Sequence, residues 1–443
     1  MKMKKILVLG AGRSSSACIS YLINNASAND WQITVGDFSE SAAKERISSS
    51  ANAAAILFNI DNTEASRAAI SNADVVISLI PASFHPLVAK ICLEEKKHLI
   101  TASYVSDEMK AFDSEAKSKG LLFLNECGLD PGIDHMSAMQ VIDKIKSEGG
   151  KLNSFESFTG GLIAPETDPE NPWRYKFTWN PRNVVLAGQG TAKFLQGKKF
   201  KYIPYQQLFS RTTPIKVPGL AEYEGYANRD SLKYVDAYGL QECKTVIRGT
   251  LRNKGYCSAW NILAQLGCCD DLYQLDSVGL MSHRDFIQSF LDSENCEEEI
   301  CKRFNISMDG EEMKRLRWSG FFTGENVGLE KGTPAQILEH ILNKKWKLKP
   351  GDKDFIVMWH RFKYLLEGKE KEIQAWLTAT GEDETQTAMA KTVGLPLAIA
   401  CKLLLEEKIE NRGVVIPLLN EIYEPILHEL KSLGIRLEER ESD

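Results

Sequence analysis

The sequence predicts an α/β fold, with an N-terminal Rossmann-type parallel sheet, an α+β second domain and a smaller α-rich domain. Three observations support this prediction. Short apolar runs alternate with helical segments over residues 4–130, a glycine-rich turn follows the first run, and the composition changes near residue 150. Strands separated by helical segments form right-handed βαβ units, and such units build a parallel sheet.

The alternation starts with an apolar run at residues 5–9, which is typical of a buried strand, and continues with helical spacing over residues 14–25. The later predicted strands are 32–35, 54–58, 75–79, 98–101 and 121–124, and the later predicted helices are 39–50, 86–95 and 106–119.

Beyond residue 150 the pattern is different. Residues 155–159 and 201–204 are predicted strands, and residues 266–380 are charged and helical in pattern. A final pair of helices at 387–407 and 425–434 is expected to pack back on the first two domains. The predicted domains are 1–130, completed by about 385–415; 131–265, together with 416–443; and a mostly helical domain at 266–384.

The composition is that of an ordinary globular protein, with 43% hydrophobic and 26% charged residues in 443. A net charge of -6 offers no basic footprint for nucleic acid, and no 18-residue apolar stretch stands out, so neither nucleic acid nor a membrane is an expected partner. The ten cysteines form no CxxC pair and no zinc-like spacing. We therefore expect reduced thiols, a cytoplasmic location and no metal site.

The turn from Gly10 to Ser15 lies between the first predicted strand and its helix. Gly10 permits a tight turn, and Gly12 lets the backbone approach a pyrophosphate, which then sits on the helix N-terminus. Ser15 stands where the common fingerprint has a third glycine. The position of the turn in a βαβ pattern predicts dinucleotide binding, and an ordinary strand-to-helix turn is the alternative.

Asp37 directly follows the second predicted strand, 25 residues after Gly12. A carboxylate there accepts hydrogen bonds from both ribose hydroxyls of NAD and repels the 2′-phosphate of NADP. No basic residue follows before Lys44, which favours NAD, whereas Arg13 keeps NADP open. The alternative is a helix N-cap acid.

Further candidates follow the later predicted strands, at the sheet edge where open α/β sheets bind ligands. Residues 101–104 and 128–135 lie there, and Asp130, in a turn rich in glycine and proline, suits a ligand contact better than a core. A plain turn aspartate is the alternative. His85 is a weaker catalytic candidate, because a histidine at that point more often begins a helix.

Two arginine-containing segments, 228–231 and 248–252, lie in the second predicted domain. Guanidinium groups form bidentate hydrogen bonds with carboxylates, so arginines grouped on one face would suit a substrate with several carboxylates. Surface ion pairs explain the same residues equally well.

Together these segments resemble saccharopine dehydrogenase of the glutamate-forming type. The resemblance rests on GAGRSS, VISLIP, HPLVAK, TASYVS, NECGLDPGIDHM, TGGLIAPE, NPWRYKFTW, GYANRDS and VIRGTLRNKGY, which run in family order from residue 6 to about 260. It implies a homodimer with a substrate-binding and dimerisation domain. It also implies the reversible NAD(P)-dependent oxidation of saccharopine to glutamate and 2-aminoadipate 6-semialdehyde, in lysine metabolism.

The resemblance implies particular contacts. The cofactor contacts are Gly10, Ala11, Gly12, Arg13, Asp37, Phe58, Asn59, Leu79, Thr101, Leu129 and Trp179. The saccharopine contacts are Ser103, Tyr104, Asp130, Arg229, Thr250, Leu251 and Arg252.

Asp130 is expected to pair with a substrate ammonium, while the acceptor of the hydrolysis proton is open among Lys176, Tyr104, His135 and Cys127. We take Lys176 as the candidate because it lies in YKFTW, close to Trp179.

Three departures from the family pattern bear on these expectations. Thr159 and Ile163 stand where members commonly have cysteine and proline, and Asp37 stands where fungal NADP-dependent members carry an arginine. The expected cofactor is therefore NAD, with NADP possible. The alternative functions are a related imine reductase, such as a carboxynorspermidine dehydrogenase, and a non-catalytic NAD(P)-binding protein.

Overall fold

The computed structural model describes residues 3–48, 50–187 and 189–442. Contacts divide the chain into two compact units, here called unit 1 and unit 2. Unit 1 comprises Met1–Ser147 and Thr385–Leu437, and unit 2 comprises Glu148–Glu384 and Glu438–Asp443.

The strands of both units follow in chain order. They are β1 (Lys4–Leu9), β2 (Trp31–Asp37), β3 (Ala53–Leu57), β4 (Val75–Ser78), β5 (His98–Thr101), β6 (Leu122–Leu124), β7 (Lys151–Ile163), β8 (Ala192–Gln196), β9 (Lys199–Ile203), β10 (Thr213–Lys216), β11 (Glu222–Ala227), β12 (Thr245–Asn253), β13 (Asp354–Leu366), β14 (Lys369–Thr380), β15 (Gly413–Val415) and β16 (Glu438–Ser442).

The helices follow in the same way. They are α1 (Ser16–Asn29), α2 (Glu40–Ile47), α3 (Thr63–Ser71), α4 (His85–Glu94), α5 (Asp107–Ala111), α6 (Asp113–Ser118), α7 (Ile133–Ser147), α8 (Pro181–Val185), α9 (Tyr205–Leu208), α10 (Lys233–Ala237), α11 (Tyr256–Leu266), α12 (His283–Gln288), α13 (Cys296–Phe304), α14 (Glu311–Trp318), α15 (Pro334–Trp346), α16 (Ala388–Leu405) and α17 (Asn420–Ser432). Short 3₁₀ turns occupy Arg13–Ser15, Ala82–Phe84 and Val278–Leu280.

Unit 1 contains a seven-stranded parallel sheet in the order β15-β6-β5-β4-β1-β2-β3, which confirms the predicted Rossmann-type sheet. The central strand β1 is buried from Ile6 to Leu9, as expected for a parallel strand covered on both faces. The strand order reverses at β1, between β2 and β4. Such a reversal creates a ligand-binding crevice at the carboxyl ends of the strands.

Helix α16 belongs to unit 1 and packs closely on α1. A Cβ atom added to Gly394 would lie 2.7 Å from the backbone nitrogen of Cys18, so only glycine permits this approach. The sequence-based expectation that no 18-residue apolar stretch occurs was wrong, because α16 is long and apolar enough to cross a membrane. Most of its surface is buried within the fold, however, as in the core helix of a soluble protein.

Unit 2 is built on a mixed sheet whose main path is β10-β11-β12-β7-β13-β14-β16, with β8 paired to β12 and β9 to β8. Its two central strands, β7 and β12, run parallel, and the other strand pairs among the described residues of this sheet are antiparallel. The strands predicted at 155–159 and 201–204 overlap β7 and β9.

The predicted domain boundaries differ from those of the two units. Residues 266–346 are mainly helical, as expected, but β13 and β14 continue the large sheet rather than a helical domain. The segment FIVMWHRFKYLL is rich in aromatic and β-branched residues, which suit a half-buried strand. Near the C-terminus, α17 belongs to unit 1, and only β16 pairs with the sheet of unit 2.

Candidate active site

Five strands of the unit 1 sheet bring the predicted cofactor residues to one edge. Residues 10–13 follow β1, Asp37 ends β2, Phe58 and Asn59 follow β3, Leu79 follows β4, and Thr101 ends β5. Because all five strands are parallel, their carboxyl ends meet at the same edge of the sheet. The structure therefore places these residues where the sequence predicted a dinucleotide.

The glycine-rich turn has two differently constrained glycines. Gly10 has a φ of +104°, and an added Cβ would lie 3.0 Å from the carbonyl of Leu79. Gly12 has a φ of −71°, which any residue adopts, and no atom of the protein lies within 4 Å of an added Cβ. Gly10 is thus required by the fold, whereas the space at Gly12 fits the close approach of a pyrophosphate.

Ser15, which replaces the third glycine of the common fingerprint, closes the turn. Its hydroxyl donates to the carbonyl of Gly12 over 2.8 Å, just before α1 begins at Ser16. Burial lowers the pKa of the Arg13 guanidinium, the first residue of the 3₁₀ turn.

Asp37 accepts two backbone hydrogen bonds. One carboxylate oxygen accepts from the Ala11 N–H over 2.7 Å, and the other accepts from the Ser39 N–H over 2.8 Å. The cap of α2 is Ser39, whose side chain accepts from Ala42, so Asp37 is not the N-cap acid of the alternative interpretation. Its carboxylate instead joins the end of β2 to the glycine-rich turn from Gly10 to Ser15, here called the phosphate turn after the pyrophosphate that it is predicted to bind.

Arg46 also reaches the phosphate turn, and the sequence reasoning missed it. Its Nε lies 3.1 Å from the carbonyl oxygen of Ala11, and its Nη2 lies 3.4 Å from that of Gly12. Arg46 lies in the last turn of α2, two residues beyond Lys44, where helical periodicity turns the side chain toward β1. A cation beside this turn is placed to meet a phosphate.

Phe58, Asn59 and Leu79 complete the cofactor edge. The Phe58 N–H donates to the carbonyl of Asp37 over 2.8 Å, and the Leu79 N–H donates to that of Leu9 over 2.7 Å. The Asn59 side chain accepts from the Asp61 N–H. The first two bonds join the ends of neighbouring strands, and they hold at one sheet edge the three residues that the family resemblance implied.

A buried histidine links the ends of β4 and β5. His85 Nδ1 lies 3.0 Å from the Ser78 hydroxyl, and Nε2 lies 2.8 Å from the Ser103 hydroxyl and 3.0 Å from that of Thr101. Burial lowers the pKa of His85 to about 4. The helix-entry interpretation fits its position at the start of α4, but its side chain also holds two predicted site residues together.

Two predicted substrate residues, Tyr104 and Asp130, contact each other. Asp130 lies in residues 128–135, here called the substrate loop. The Tyr104 hydroxyl donates to the Asp130 carboxylate over 3.0 Å, and both residues keep partial exposure. The loop that follows is tightly closed, because an added Cβ at Gly132 would lie 2.0 Å from the carbonyl oxygen of Gly128. Leu129 lies buried inside this closure.

Three buried polar residues hold that loop from behind. Glu126 accepts from the Val105 N–H over 3.0 Å and lies 2.7 Å from His135 Nε2. Asp134 accepts from the Gly132 N–H over 2.6 Å. Each is less than a tenth exposed, so their hydrogen bonds fix the segments that carry Tyr104 and Asp130.

In unit 2, Arg252 is buried among three tyrosines. Its guanidinium carbon lies 5.0 Å from the ring centre of Tyr175, 5.2 Å from that of Tyr256 and 5.9 Å from that of Tyr226. We call these four residues the arginine cage. Burial raises the pKa of each phenol, which keeps all three hydroxyls protonated.

Arg252 forms no ion pair with a carboxylate of the described residues. Glu224, which lies opposite it on β11, instead accepts from the backbone N–H groups of Gly255 and Cys257. The Nη1 of Arg252 donates to the carbonyl of Leu251, but its Nε has no hydrogen-bond partner among the described residues. A buried cation without a counter-charge is costly, so the cage has the chemistry of a carboxylate-binding site.

The other predicted residues of unit 2 are more scattered. Thr250 shares a strand face with Arg252, whereas Leu251 points to the opposite face and is fully buried in the core. Arg229 is exposed and has a φ of +51°, an uncommon conformation for a residue with a side chain. Trp179 is half-buried against the core of the unit.

Lys176 is a poor candidate for the proton acceptor. Its ammonium is fully buried and lies 2.9 Å from an Asp168 oxygen and 2.7 Å from an Asp352 oxygen. Both carboxylates already pair with the ammonium, and a general base must be free to reach the proton that it takes up. The geometry favours a structural role for Lys176. Sequence reasoning missed this role, because no local pattern shows that these two aspartates converge on the lysine.

Comparison with known proteins decides the family. A family model described as the saccharopine dehydrogenase NADP binding domain matches residues 6–124, and one described as the saccharopine dehydrogenase C-terminal domain matches residues 128–435. The chain belongs to the saccharopine dehydrogenase family. Its membership confirms the resemblance that the motifs indicated.

Individual relatives agree with that assignment. The chain is 33% identical over 450 residues to the NADP⁺-dependent, L-glutamate-forming saccharopine dehydrogenase of Schizosaccharomyces pombe, covering 99% of each chain. It is 35% identical to an alpha-aminoadipic semialdehyde synthase of Arabidopsis thaliana, covering 99% of this chain but only 45% of that protein. The chain thus spans about half the length of its plant relative.

A solved structure is also similar. The apo L-Glu-forming saccharopine dehydrogenase of Saccharomyces cerevisiae has a TM-score of 0.88 and 31% identity, covering 99% of this chain and all of the other. The dinucleotide-binding sheet and the mixed second sheet are therefore those of the saccharopine dehydrogenase family.

Sequence reasoning missed several residues, in each unit separately, that contact the predicted site residues. Tyr226 and Tyr256 form the cage, Glu126 supports the substrate loop, and Arg46 touches the phosphate turn. Tyr226 pairs with Thr250 across β11 and β12, so a register prediction for these strands would have placed it near the arginine. Glu126 and Arg46 act through tertiary contacts that carry no local signal.

Proposed function

We propose that this chain catalyses the reversible NAD(P)-dependent oxidation of saccharopine to glutamate and 2-aminoadipate 6-semialdehyde. The observation that carries the proposal is Arg252, a buried guanidinium with an unpartnered Nε and three protonated phenols around it. Saccharopine has three carboxylates and two amines, and a carboxylate is the group that this cage lacks. Family membership supports the same substrate.

The chain's own residues bind and orient the substrate. When bound, the nicotinamide supplies a hydride acceptor for the carbon that becomes the aldehyde. We propose that Arg252 and Arg229 hold carboxylates and that the Asp130 carboxylate, hydrogen-bonded by Tyr104, pairs with an ammonium. Correct placement of these groups lowers the barrier by removing the entropy of orientation.

Hydrolysis of the imine also needs a proton acceptor. Burial raises the pKa of the Cys127 thiol, His135 is bonded to Glu126, and Lys176 lies between two carboxylates. Tyr104 keeps partial exposure beside Asp130, and we propose that its oxygen takes the proton of the attacking water while its own proton passes to the Asp130 carboxylate, to which the hydroxyl donates.

For the cofactor we propose a preference for NAD. Asp37 lies at the end of β2, where its negative charge disfavours the additional phosphate of NADP. Arg46 and Arg13, beside the same turn, supply the opposite charge and leave NADP a measurable competitor.

The test is a spectrophotometric assay of saccharopine oxidation with NAD and with NADP. Turnover with saccharopine supports the proposal. If the protein ignores saccharopine but oxidises a carboxylated polyamine, a related imine-reductase function replaces it. Tight dinucleotide binding without turnover of either substrate would instead support a non-catalytic NAD(P)-binding protein.

The proposal also includes a homodimer that acts in the cytoplasm. Family resemblance supports the dimer, and ten free cysteines, nine of them buried, fit a reducing compartment. A solution mass of twice the chain's 49.6 kDa, measured by light scattering, is the expected result. A monomeric mass at working enzyme concentrations would contradict the dimer.

A further inference from the structure

The side chain of His85 is held on both ring nitrogens and lies directly behind the predicted substrate residue Ser103. The residue is 3% exposed, and Ser78 contacts Nδ1 while Ser103 and Thr101 share Nε2. The Ser103 N–H also donates to the Thr101 hydroxyl oxygen over 3.3 Å. Four side chains from β4, α4 and the end of β5 therefore form one closed network.

The charge state of His85 follows from its surroundings. The three groups that face its ring are neutral hydroxyls, and burial is the cause of its lowered pKa of about 4. At pH 7, roughly one molecule in a thousand would carry the imidazolium. A neutral imidazole has one donor and one acceptor, which suits a bridge between hydroxyls.

Ser103 differs from its partners in exposure. Ser78, Thr101 and His85 are buried, whereas Ser103 is half-buried. One side of the Ser103 hydroxyl thus contacts the imidazole, and the residue remains accessible at the sheet edge that carries Tyr104 and Asp130. The position of this hydroxyl is set by the ring behind it.

We propose that His85 is a positioning residue that holds the Ser103 hydroxyl through Nε2 while Ser78 holds the ring through Nδ1. This inference rests on the proposed function, because Ser103 contacts substrate only if the chain binds saccharopine as its family resemblance implies. A role as proton acceptor fits less well, since burial with no facing carboxylate disfavours the charged ring.

Two substitutions of His85 test the contacts of its two ring nitrogens separately. The amide of glutamine in His85→Gln reaches the position of Nε2 and keeps the contact with Ser103. The shorter amide in His85→Asn reaches only the position of Nδ1 and keeps the contact with Ser78. A matched control is His98→Gln, because burial also lowers the pKa of His98 to about 4 and that residue begins β5 at the opposite edge of the sheet.

The expected result is a graded loss of substrate turnover. His85→Asn should lower kcat/KM for saccharopine by about 10- to 100-fold, and His85→Gln should stay within about threefold, as loss or retention of one orienting hydrogen bond predicts. Dinucleotide affinity should change less than the substrate KM, and His98→Gln should match the wild type in turnover. Equal activity of the two His85 variants, whether both full or both lost, would overturn the positioning role.

A second measurement does not depend on turnover. In ¹⁵N NMR, His85 should remain neutral from pH 8 to pH 5, and the Ser78→Ala variant should change its tautomer balance. Titration near pH 6.5 in the wild type would overturn the buried network. Inactivity of the wild type on saccharopine would overturn the proposed function, while the NMR result would still decide whether a neutral His85 is held by Ser78 in the buried network.

Discussion

The predicted site residues of unit 1 and unit 2 occupy different environments. In unit 1 they follow strand ends, they are joined by short backbone hydrogen bonds, and several keep partial exposure. In unit 2 two of the three predicted cations, Arg252 and Lys176, are buried, yet Arg252 has no carboxylate partner among the described residues and Lys176 has two.

The contrast shows how the partners of a buried charge indicate its role. Lys176 is neutralised within unit 2, so its charge is satisfied without any ligand. Arg252 keeps an unpartnered Nε among aromatic rings, so an incoming anion completes it. The number of carboxylates around each cation, rather than its burial, separates a structural group from a ligand-binding one.

The largest expected effect tests the structural role of Lys176. Lys176→Met leaves the partly exposed Asp168 and Asp352 without their buried counter-ion and should lower the free energy of unfolding by about 3 kcal/mol. Denaturant unfolding measures this loss. A variant of unchanged stability but lost turnover would instead restore the lysine as the proton acceptor.

The next effect concerns Arg252 of the arginine cage and the exposed Arg229. Arg229→Ala and Arg252→Ala should each lower kcat/KM for saccharopine by roughly 30- to several-thousand-fold, the equivalent of about 2–5 kcal/mol. Dinucleotide affinity should stay near that of the wild type, and lysine at either position should rescue little, because it lacks the bidentate fork.

Thermal stability should distinguish the two arginine variants. Arg252 is 4% exposed and packs on three rings, so its loss should also lower Tm, whereas the exposed Arg229 should change Tm little. Wild-type kcat/KM in both variants would contradict the proposal that these two arginines hold substrate carboxylates.

A smaller effect distinguishes the glycine that the dinucleotide needs from the glycine that the fold needs. Gly12→Val has an allowed φ and open space, so the variant should fold normally, yet it should weaken dinucleotide binding at least about 100-fold, or 2.7 kcal/mol. Gly10→Val is the contrasting variant, because it collides with the Leu79 carbonyl and should lower stability as well. Normal NAD titration of Gly12→Val would show that this turn does not carry the pyrophosphate.

The smallest effect concerns cofactor choice. NAD should be preferred by at least about tenfold in kcat/KM, or 1.4 kcal/mol, and Asp37→Ala should narrow that gap. Arg46→Ala should increase the preference for NAD over NADP if the guanidinium contacts the 2′-phosphate of NADP. Equal or better use of NADP by the wild type would mean that the cations beside the turn outweigh Asp37.

Much of unit 1 was predictable, because its signals are local. Apolar runs of four or five residues located β1 to β6, helical spacing located the helices between them except α3, and the glycine spacing located the turn. Unit 2 was harder to predict, since β13 and β14 follow a charged segment that looks helical. Strand β13 pairs with β7, about 200 residues earlier in the chain, and β14 pairs with β13.

The sequence by itself determined the parallel sheet, the dinucleotide turn, Asp37 and the substrate loop around Asp130, because strand periodicity and turn chemistry depend on neighbouring residues. Only the tertiary structure decided that Lys176 is neutralised, that tyrosines surround Arg252 and that His85 stands behind Ser103. These three outcomes depend on which distant side chains meet a buried polar group. Burial makes that meeting decisive, because in a medium of low dielectric the partners of a charge or hydroxyl determine its state.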